Sequence, residues 1–477
     1  MYRKKKIQNK HTDLILKLFL FVISLCLLVN CTGKTVSDKN DNSSATVWNT
    51  ILFCKYLVFS PSDFTDFYSN GASFQEGINY WVKLDYQNAE HLFLNLENEM
   101  KANGVKYPED IAFVQLAIGT LYIDMAKYNS AYEYLISSYS SFREIFNRNS
   151  GQYENAASLS LAYYYYAIGN YDSCLKEIDS LKTFYERLIE DTREPELVEG
   201  LSFFFSYAID SLEAKIRQDR NDLDGAFSLF DKIITEAKEQ NSNDSPNSKF
   251  TQLMRINALI HIGDLFYLGS NLYEGVTKTI GVYDYVLEIL DKYPEDIYAK
   301  SLKAEVMAKK AYYFGSISED NFDDAIKLID EAISIQESIS EKNKVYAGLA
   351  NTYIYYGDMY GYIKKDFDRA LLYYSKALEI SEEAYGHNHP QTAKIYETEA
   401  RFYGNRLLDF EKALEIYKEG LEICKNTLME NTLLAADIQL NMAGCYRLLD
   451  DEESYKEYIE NANKIYDRLG VHLEKSS

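Results

Sequence analysis

Proline is scarce in this chain of 477 residues: there are six, beside 22 glycines. So few helix breakers favour long helices. Tryptophan is scarcer still, at two, while tyrosine reaches 43. Tyrosine brings apolar bulk with a polar tip that can reach water. Positive charge is also short, since 50 Lys and Arg stand against 73 Asp and Glu for a formal net charge of −23. A nucleic acid or an anionic lipid surface is a poor partner for that field. The six cysteines are scattered, with neither metal spacing nor the look of a disulfide framework. No Gly-rich phosphate loop, nucleophile elbow or paired-cysteine motif occurs, so no enzyme and no cofactor is expected. With 47% hydrophobic and 26% charged residues, the chain has ample material for a core, which excludes wholesale disorder.

The amino-terminal segment is basic, with Arg3 to Lys6, Lys10 and Lys17, and an apolar run follows from Leu18 to Val29. About 12 residues are too few to cross a bilayer as a helix but suit the core of a signal peptide. The run ends Leu28-Val29-Asn30-Cys31 and resembles the bacterial lipoprotein signal, with Asn30 where a small residue is usual. That resemblance implies residues 1–30 as leader, acylation of Cys31 and stable membrane anchoring through its lipid. Thr32, rather than Asp, implies the outer membrane. Residues 31–69 read as a polar tether, rich in Asp, Asn and Ser from Lys34 to Ala45, followed by an apolar stretch from Trp48 to Phe59 that caps what comes next.

Beyond residue 70 a pattern recurs: a small residue with an aromatic three positions before it and a bulky residue four positions after it. Tyr86/Ala89/Phe93, Tyr128/Ala131/Leu135, Tyr171/Cys174/Ile178, Phe322/Ala325/Ile329, Phe367/Ala370/Tyr374 and Phe410/Ala413/Tyr417 carry it. Leu223/Ala226/Phe230 keeps it with an aliphatic lead. A second signature precedes each: Gly77 with Tyr80, Gly119 with Tyr122, Ala162 with Tyr165, Gly263 with Phe266, Gly357 with Tyr360, Ala400 with Tyr403 and Ala443 with Tyr446. Small residues let two helices approach, and rings fill the gaps between them. A period near 43 means stacked units.

Here the sequence resembles the tetratricopeptide repeat family, with longer units of the kinesin-light-chain kind, in which His-Pro commonly precedes the first helix as His389-Pro390 does. The resemblance implies an all-α fold: a right-handed α-solenoid of about eight or nine helix pairs over residues 70–468, with 469–477 as a tail. Gln240 to Ser248 reads as a surface loop. In the unit beginning near Ile256, Gly269 to Thr279 is expected to stretch the turn, with Val282 in the place of the small residue; Tyr455 takes that place in the last unit.

His387 and His389 lie two apart but have no third ligand at helical spacing, and the helix lead-in already accounts for His389; no metal is expected. Cys424 and Cys445 fall on successive helices and could pair in an exported protein. A stacked array offers a concave surface lined by the first helix of each unit. By the family's register, Trp81, Tyr163, Tyr166, Tyr267, Tyr362, Lys394, Arg401 and Arg447 face that groove, and aromatic anchors with an occasional cation suit recognition. The Lys and Asn set that grips a peptide's terminal carboxylate in some family members is not reproduced, since Ile354 and Asp358 occupy that register. The expectation is a scaffold or adaptor of the bacterial envelope that binds a protein or peptide segment. A glycan-binding outer-membrane lipoprotein of the starch-utilisation type, using Tyr163 and Tyr166, and a sensory module of a signalling system are the alternatives.

Overall fold

The computed structural model describes residues 71–82, 85–102, 108–145, 152–191, 195–240, 248–269, 272–294, 296–343 and 348–471. Cys31, the tether, the stretch from Trp48 to Phe59 and residues 472–477 lie outside the described residues. Among those described there are eighteen α-helices, and they pair in order. Unit 1 is α1 (Gly71–Val82) with α2 (Tyr86–Ala102), and unit 2 is α3 (Pro108–Asp124) with α4 (Tyr128–Ile145). Unit 3 is α5 (Gln152–Ala167) with α6 (Tyr171–Asp191), and unit 4 is α7 (Pro195–Asp219) with α8 (Leu223–Gln240). Unit 5 is α9 (Ser248–Gly269) with α10 (Leu272–Leu290), and unit 6 is α11 (Ile297–Ile317) with α12 (Phe322–Asn343). Unit 7 is α13 (Gly348–Asp358) with α14 (Phe367–Tyr385). Unit 8 is α15 (Pro390–Phe402) with α16 (Phe410–Asn426), and unit 9 is α17 (Leu433–Leu448) with α18 (Glu452–Leu469).

One steric rule holds the two helices of a unit together. A Cβ on Gly77 would stand 2.6 Å from the Phe93 ring, one on Gly119 2.8 Å from Leu135, one on Gly357 2.7 Å from the Tyr374 ring, and one on Gly263 2.5 Å from the Tyr283 ring. The bulky residue of the second helix thus occupies the space that a side chain would take on the first. The contact in unit 5 corrects the sequence reading. Tyr283, not Val286, covers the glycine, so the small residue is Thr279, whose Oγ1 donates to Gly263 O at 2.7 Å. The turn is not stretched: α10 begins at Leu272, and both helices of the unit run longer.

The turns within units share a second rule. Ala126, Gly169, Asn221, Lys365, Leu408 and Asp450 all have φ between +53° and +72°, and the next residue but one opens the second helix. The residue between them caps it: Asn170, Asp222, Asp366, Asp409 and Asp451 each accept from a backbone N–H three residues on, at 3.0–3.2 Å. Such caps satisfy donors that the first turn of a helix leaves over. In units 7 and 8 the first helix ends in π-helical turns, Met359–Lys364 and Tyr403–Leu407. These absorb the one residue by which Gly357 to Ala370 and Ala400 to Ala413 exceed Gly77 to Ala89.

Successive first helices touch, α3 with α5, α5 with α7, α7 with α9, α11 with α13 and α15 with α17, while successive second helices stand farther apart. The first helices therefore form the inner wall. The array also closes on itself. The turn of unit 2 meets the lead-in of unit 8, where His389 Nε2 lies 3.2 Å from Asp124 O. The turn of unit 3 meets the lead-in of unit 9, with Gly169 against Asn431 O. The turn of unit 4 meets the end of unit 9, where Arg220 Nε donates to Leu469 O at 2.7 Å. Tyr86 stacks on Tyr385 at 6.1 Å beside the first of these. The first two contacts and the Tyr86–Tyr385 stack each join a unit to the one six places on, and the third joins unit 4 to the far end of the last unit, so one superhelical turn takes about six units and rests on the next. A single apolar cluster accordingly runs from Phe74 to Ile216 and takes in Ala393 to Leu469.

Candidate interaction surface

The inner wall is built from the middle and end of each first helix, where residues face away from the second helix. Units 5 to 8 make it a continuous band of tyrosine and paired charge. Tyr267 packs on Tyr313 at 4.6 Å, Tyr313 on Tyr312 at 5.4 Å and Tyr312 on Tyr355 at 5.4 Å. Asp264 anchors the near end, accepting from Tyr283 Oη at 2.5 Å and from Lys309 Nζ at 3.0 Å. Burial would lower the Lys309 ammonium, but Asp264 and Glu305 outweigh it and hold the group above its ordinary value. Burial pushes the Tyr312, Tyr313 and Tyr355 hydroxyls up, so all three are neutral donors at physiological pH.

At the far end, Asp358 is buried and accepts from Tyr374 Oη at 2.5 Å. Burial raises its carboxyl to about 6, against the Tyr374 bond and Arg401, which favour the charged form. Glu397, also buried, takes Lys394 Nζ at 2.8 Å and Asn441 Nδ2 at 3.3 Å. Arg401 Nε lies 3.6 Å from Glu397 Oε1. The guanidinium of Arg406 sits 4.3 Å from the centre of the Tyr362 ring.

The structure thus gathers four of the eight residues picked from sequence. Tyr362, Lys394 and Arg401 meet at the junction of units 7 and 8, and Tyr267 joins them through Tyr312, whose hydroxyl feels Asp358, Tyr267 and Arg401 together. The other four lie apart. Trp81 is 4% exposed, edge-on to Phe93, and its Nε1 donates to Asp124 Oδ2 at 2.9 Å. Its position is one of packing between units 1 and 2, not of display. Tyr163 lies half-buried beside Tyr207, with its hydroxyl pushed up by burial. Tyr166 stacks on Tyr171 at 5.7 Å, and both hydroxyls serve the Asp219 carboxylate. Arg447 is exposed, over the ring of Tyr455 at 5.6 Å.

Sequence reasoning missed Asp264, Lys309, Tyr312, Tyr355, Glu397 and Arg406. In unit 6 the small residue Ala311, with Phe314, comes fourteen residues before Ala325 rather than the twelve of unit 1 or the thirteen of unit 7, so Lys309 and Tyr312 could not be placed in register. The signal available for Glu397 was its spacing of three and four from Lys394 and Arg401, which puts all three on one helix face. The paired histidines do structural work: His389 Nδ1 caps α15 by accepting from Gln391 N–H at 3.1 Å, and His387 pairs with Glu382 at 2.9 Å. Among the described residues no three His, Cys, Asp or Glu converge as metal ligands. Cys174, Cys424 and Cys445 are buried free thiols, and burial pushes Cys424 to about 12 and Cys445 to about 11.

No curated protein sequence matches the chain. Among solved structures, the chain is similar to the quorum sensor NprR from B. thuringiensis in its apo form, at 14% identity over 84% of this chain and 99% of that one, with a TM-score of 0.42. Aspartyl phosphate phosphatase F from Bacillus subtilis matches at 14% identity over 88% and 98%, also with a TM-score of 0.42. BtubC (BKLC) from P. vanneervenii matches at 17% identity over 54% and 95%, with a TM-score of 0.36. A model of the tetratricopeptide repeat family matches residues 348–426, which are units 7 and 8. With the helices of the other seven units pairing in the same order, the chain is an α-solenoid of tetratricopeptide-like repeats.

Proposed function

We propose that the inner wall of units 5 to 8 binds an extended segment of a protein partner, and that the chain is a non-enzymatic scaffold or adaptor. The observation that carries this reading is the band from Tyr267 to Arg401, where packed tyrosines and a few oriented charges line the inner wall. Its width supports a single strand. Six first helices with axes roughly 10 Å apart enclose a circle about 20 Å across, and one helix diameter of about 10 Å leaves a bore of about 10 Å. That admits one extended chain and excludes a folded domain. A sugar-stacking role fits less well, because the Tyr166 ring is stacked on Tyr171.

The test is recovery of partners from a cell-envelope extract by the wild-type chain and by a variant with Lys394, Arg401 and Arg447 changed to Glu. A partner present with the first and lost with the second supports the reading; an identical set of partners removes this end of the wall from it. The leader supports a further part of the proposal: that the chain is a bacterial envelope protein held at the outer membrane by acylated Cys31. Cys31→Ala is expected to move it from the membrane to the soluble fraction, and a variant that stays membrane-bound refutes the anchor.

A further inference from the structure

Arg401 and Arg406 are unusual in a chain this acidic. Arg401 lies near two carboxylates, with its Nε 3.6 Å from Glu397 Oε1, yet among the described residues that enclosed Nε makes no hydrogen bond. The reason is that both carboxylates are taken. Glu397 is occupied by Lys394 and Asn441, and Asp358 by Tyr374. They keep Arg401 charged without consuming its donors. Arg406 makes no ion pair among the described residues; the Tyr362 ring alone holds it, at 4.3 Å. Stacking on a ring fixes the plane of a guanidinium and leaves its N–H groups free. Arg401 acts on the same ring, opposing the rise that burial gives the Tyr362 hydroxyl. Arg406 over the Tyr362 ring and Arg401 acting on its hydroxyl are thus both neighbours of Tyr362 on the inner wall. Lys394, Arg401 and Arg406 together match the charge of Asp358, Glu397 and Asp437 around them, so the patch is balanced in a chain of −23.

We propose that Arg401, Arg406 and Tyr362 form a subsite for one carboxylate side chain of the bound segment. Planar forks match a carboxylate in two hydrogen bonds, and such charge-assisted bonds are strong where water is excluded. The acidic surroundings exclude a run of acids, since Asp264, Glu305 and Asp437 face the same space and repel them. The favoured segment carries a single Asp or Glu among neutral or basic residues. This rests on the proposed binding of an extended segment.

The experiment is selection of a random dodecapeptide library, displayed on phage through the peptides' carboxyl ends, against the immobilised full chain. No free terminal carboxylate is then present, so acid enrichment reports a side chain. Selected peptides are expected to share one Asp or Glu. Their affinity should fall about ten- to hundredfold with Arg401→Gln or Arg406→Gln, fall equally when the peptide's acid becomes Asn or Gln, and fall little further when both changes are combined. Arg406 is exposed, so its variant keeps the fold; an unchanged thermal melt checks Arg401→Gln. Peptides without a shared acid, or losses that simply add, overturn the subsite. A library that yields no binder at all overturns the groove reading itself.

Discussion

His389 Nε2 donates to the backbone carbonyl of Asp124 at 3.2 Å, across 265 residues of sequence. Its Nδ1 accepts from Gln391 N–H, so the ring is neutral, with its proton on Nε2. The ring also lies flat on Tyr385 at 4.0 Å. One histidine thereby caps a helix, closes the superhelix and fills an aromatic stack.

Acid should undo this. Burial lowers the His389 pKa to about 4, against Asp124, which favours the cation; unfolded, it is about 6.5. Between these values the unfolded chain binds more protons, so the stability due to neutral His389 is fully present above about 6.5 and lost as pH falls through about 4. Urea unfolding at pH 7 and pH 5 is expected to show a loss on the order of 2 kcal/mol from this group. His389→Asn should remove that part of the pH dependence, and an unchanged dependence would count against the bond.

Gly169 tests closure by shape. Its φ is +72°, and a Cβ there would stand 2.2 Å from Asn431 O, on the other side of the seam. Gly169→Ala meets a backbone atom that cannot move alone, besides a left-handed conformation costing about 1–2 kcal/mol. Destabilisation of at least that size, with a larger radius of gyration by small-angle scattering, is expected. A variant as compact and as stable as the parent would refute the seam.

Glycines inside helices should divide by what they face. Alanine is normally favoured there by about 1 kcal/mol. Gly444→Ala and Gly281→Ala meet nothing within 4 Å and should gain about 0.5–1 kcal/mol. Gly357→Ala meets the Tyr374 ring at 2.7 Å, and that ring is fully buried and tied to Asp358. It should cost about 1–3 kcal/mol. Thermal unfolding of the three variants decides it: equal shifts would mean that the glycine contact does not set the helix pairing.

Asp358 should show the opposite pH dependence to His389. Its folded pKa, raised by burial to about 6, exceeds its unfolded value near 3.9. The folded state then binds more protons between them, so stability is fully present below about 3.9 and lost as pH rises through about 6. Asp358→Asn keeps an acceptor for Tyr374 and drops the charge. Its stability relative to the parent should rise by on the order of 2–3 kcal/mol between pH 4 and pH 8; a flat difference would show that Asp358 is not desolvated.

The helix pairs were legible in the sequence because small and bulky residues recur at fixed spacing, as with Ala370 and Tyr374. Unit 5 was misread by one helical turn, because Thr279 serves as the small residue and no alanine marks it. Trp81 was assigned to the groove from register alone, although the Asp124 carboxylate that claims its indole is 43 residues away. The seam was not legible at all. It depends on the superhelical rise, and pairs such as Arg220 and Leu469 leave no periodic trace. The aromatic wall was half legible for a related reason: Tyr267 and Tyr362 sit in units with clear signatures, and Tyr312 does not.

Binding along the inner wall is tested most directly by placing a photo-crosslinking amino acid, benzoylphenylalanine, at Tyr267 or Tyr362, and in a separate variant at Leu372, which is 52% exposed on a second helix. After irradiation in envelope extract, a shared partner peptide attached at Tyr267 and Tyr362 and absent at Leu372 is the expected result. Adducts at Leu372 alone, or the same adducts at all three positions, would contradict binding in the enclosed groove.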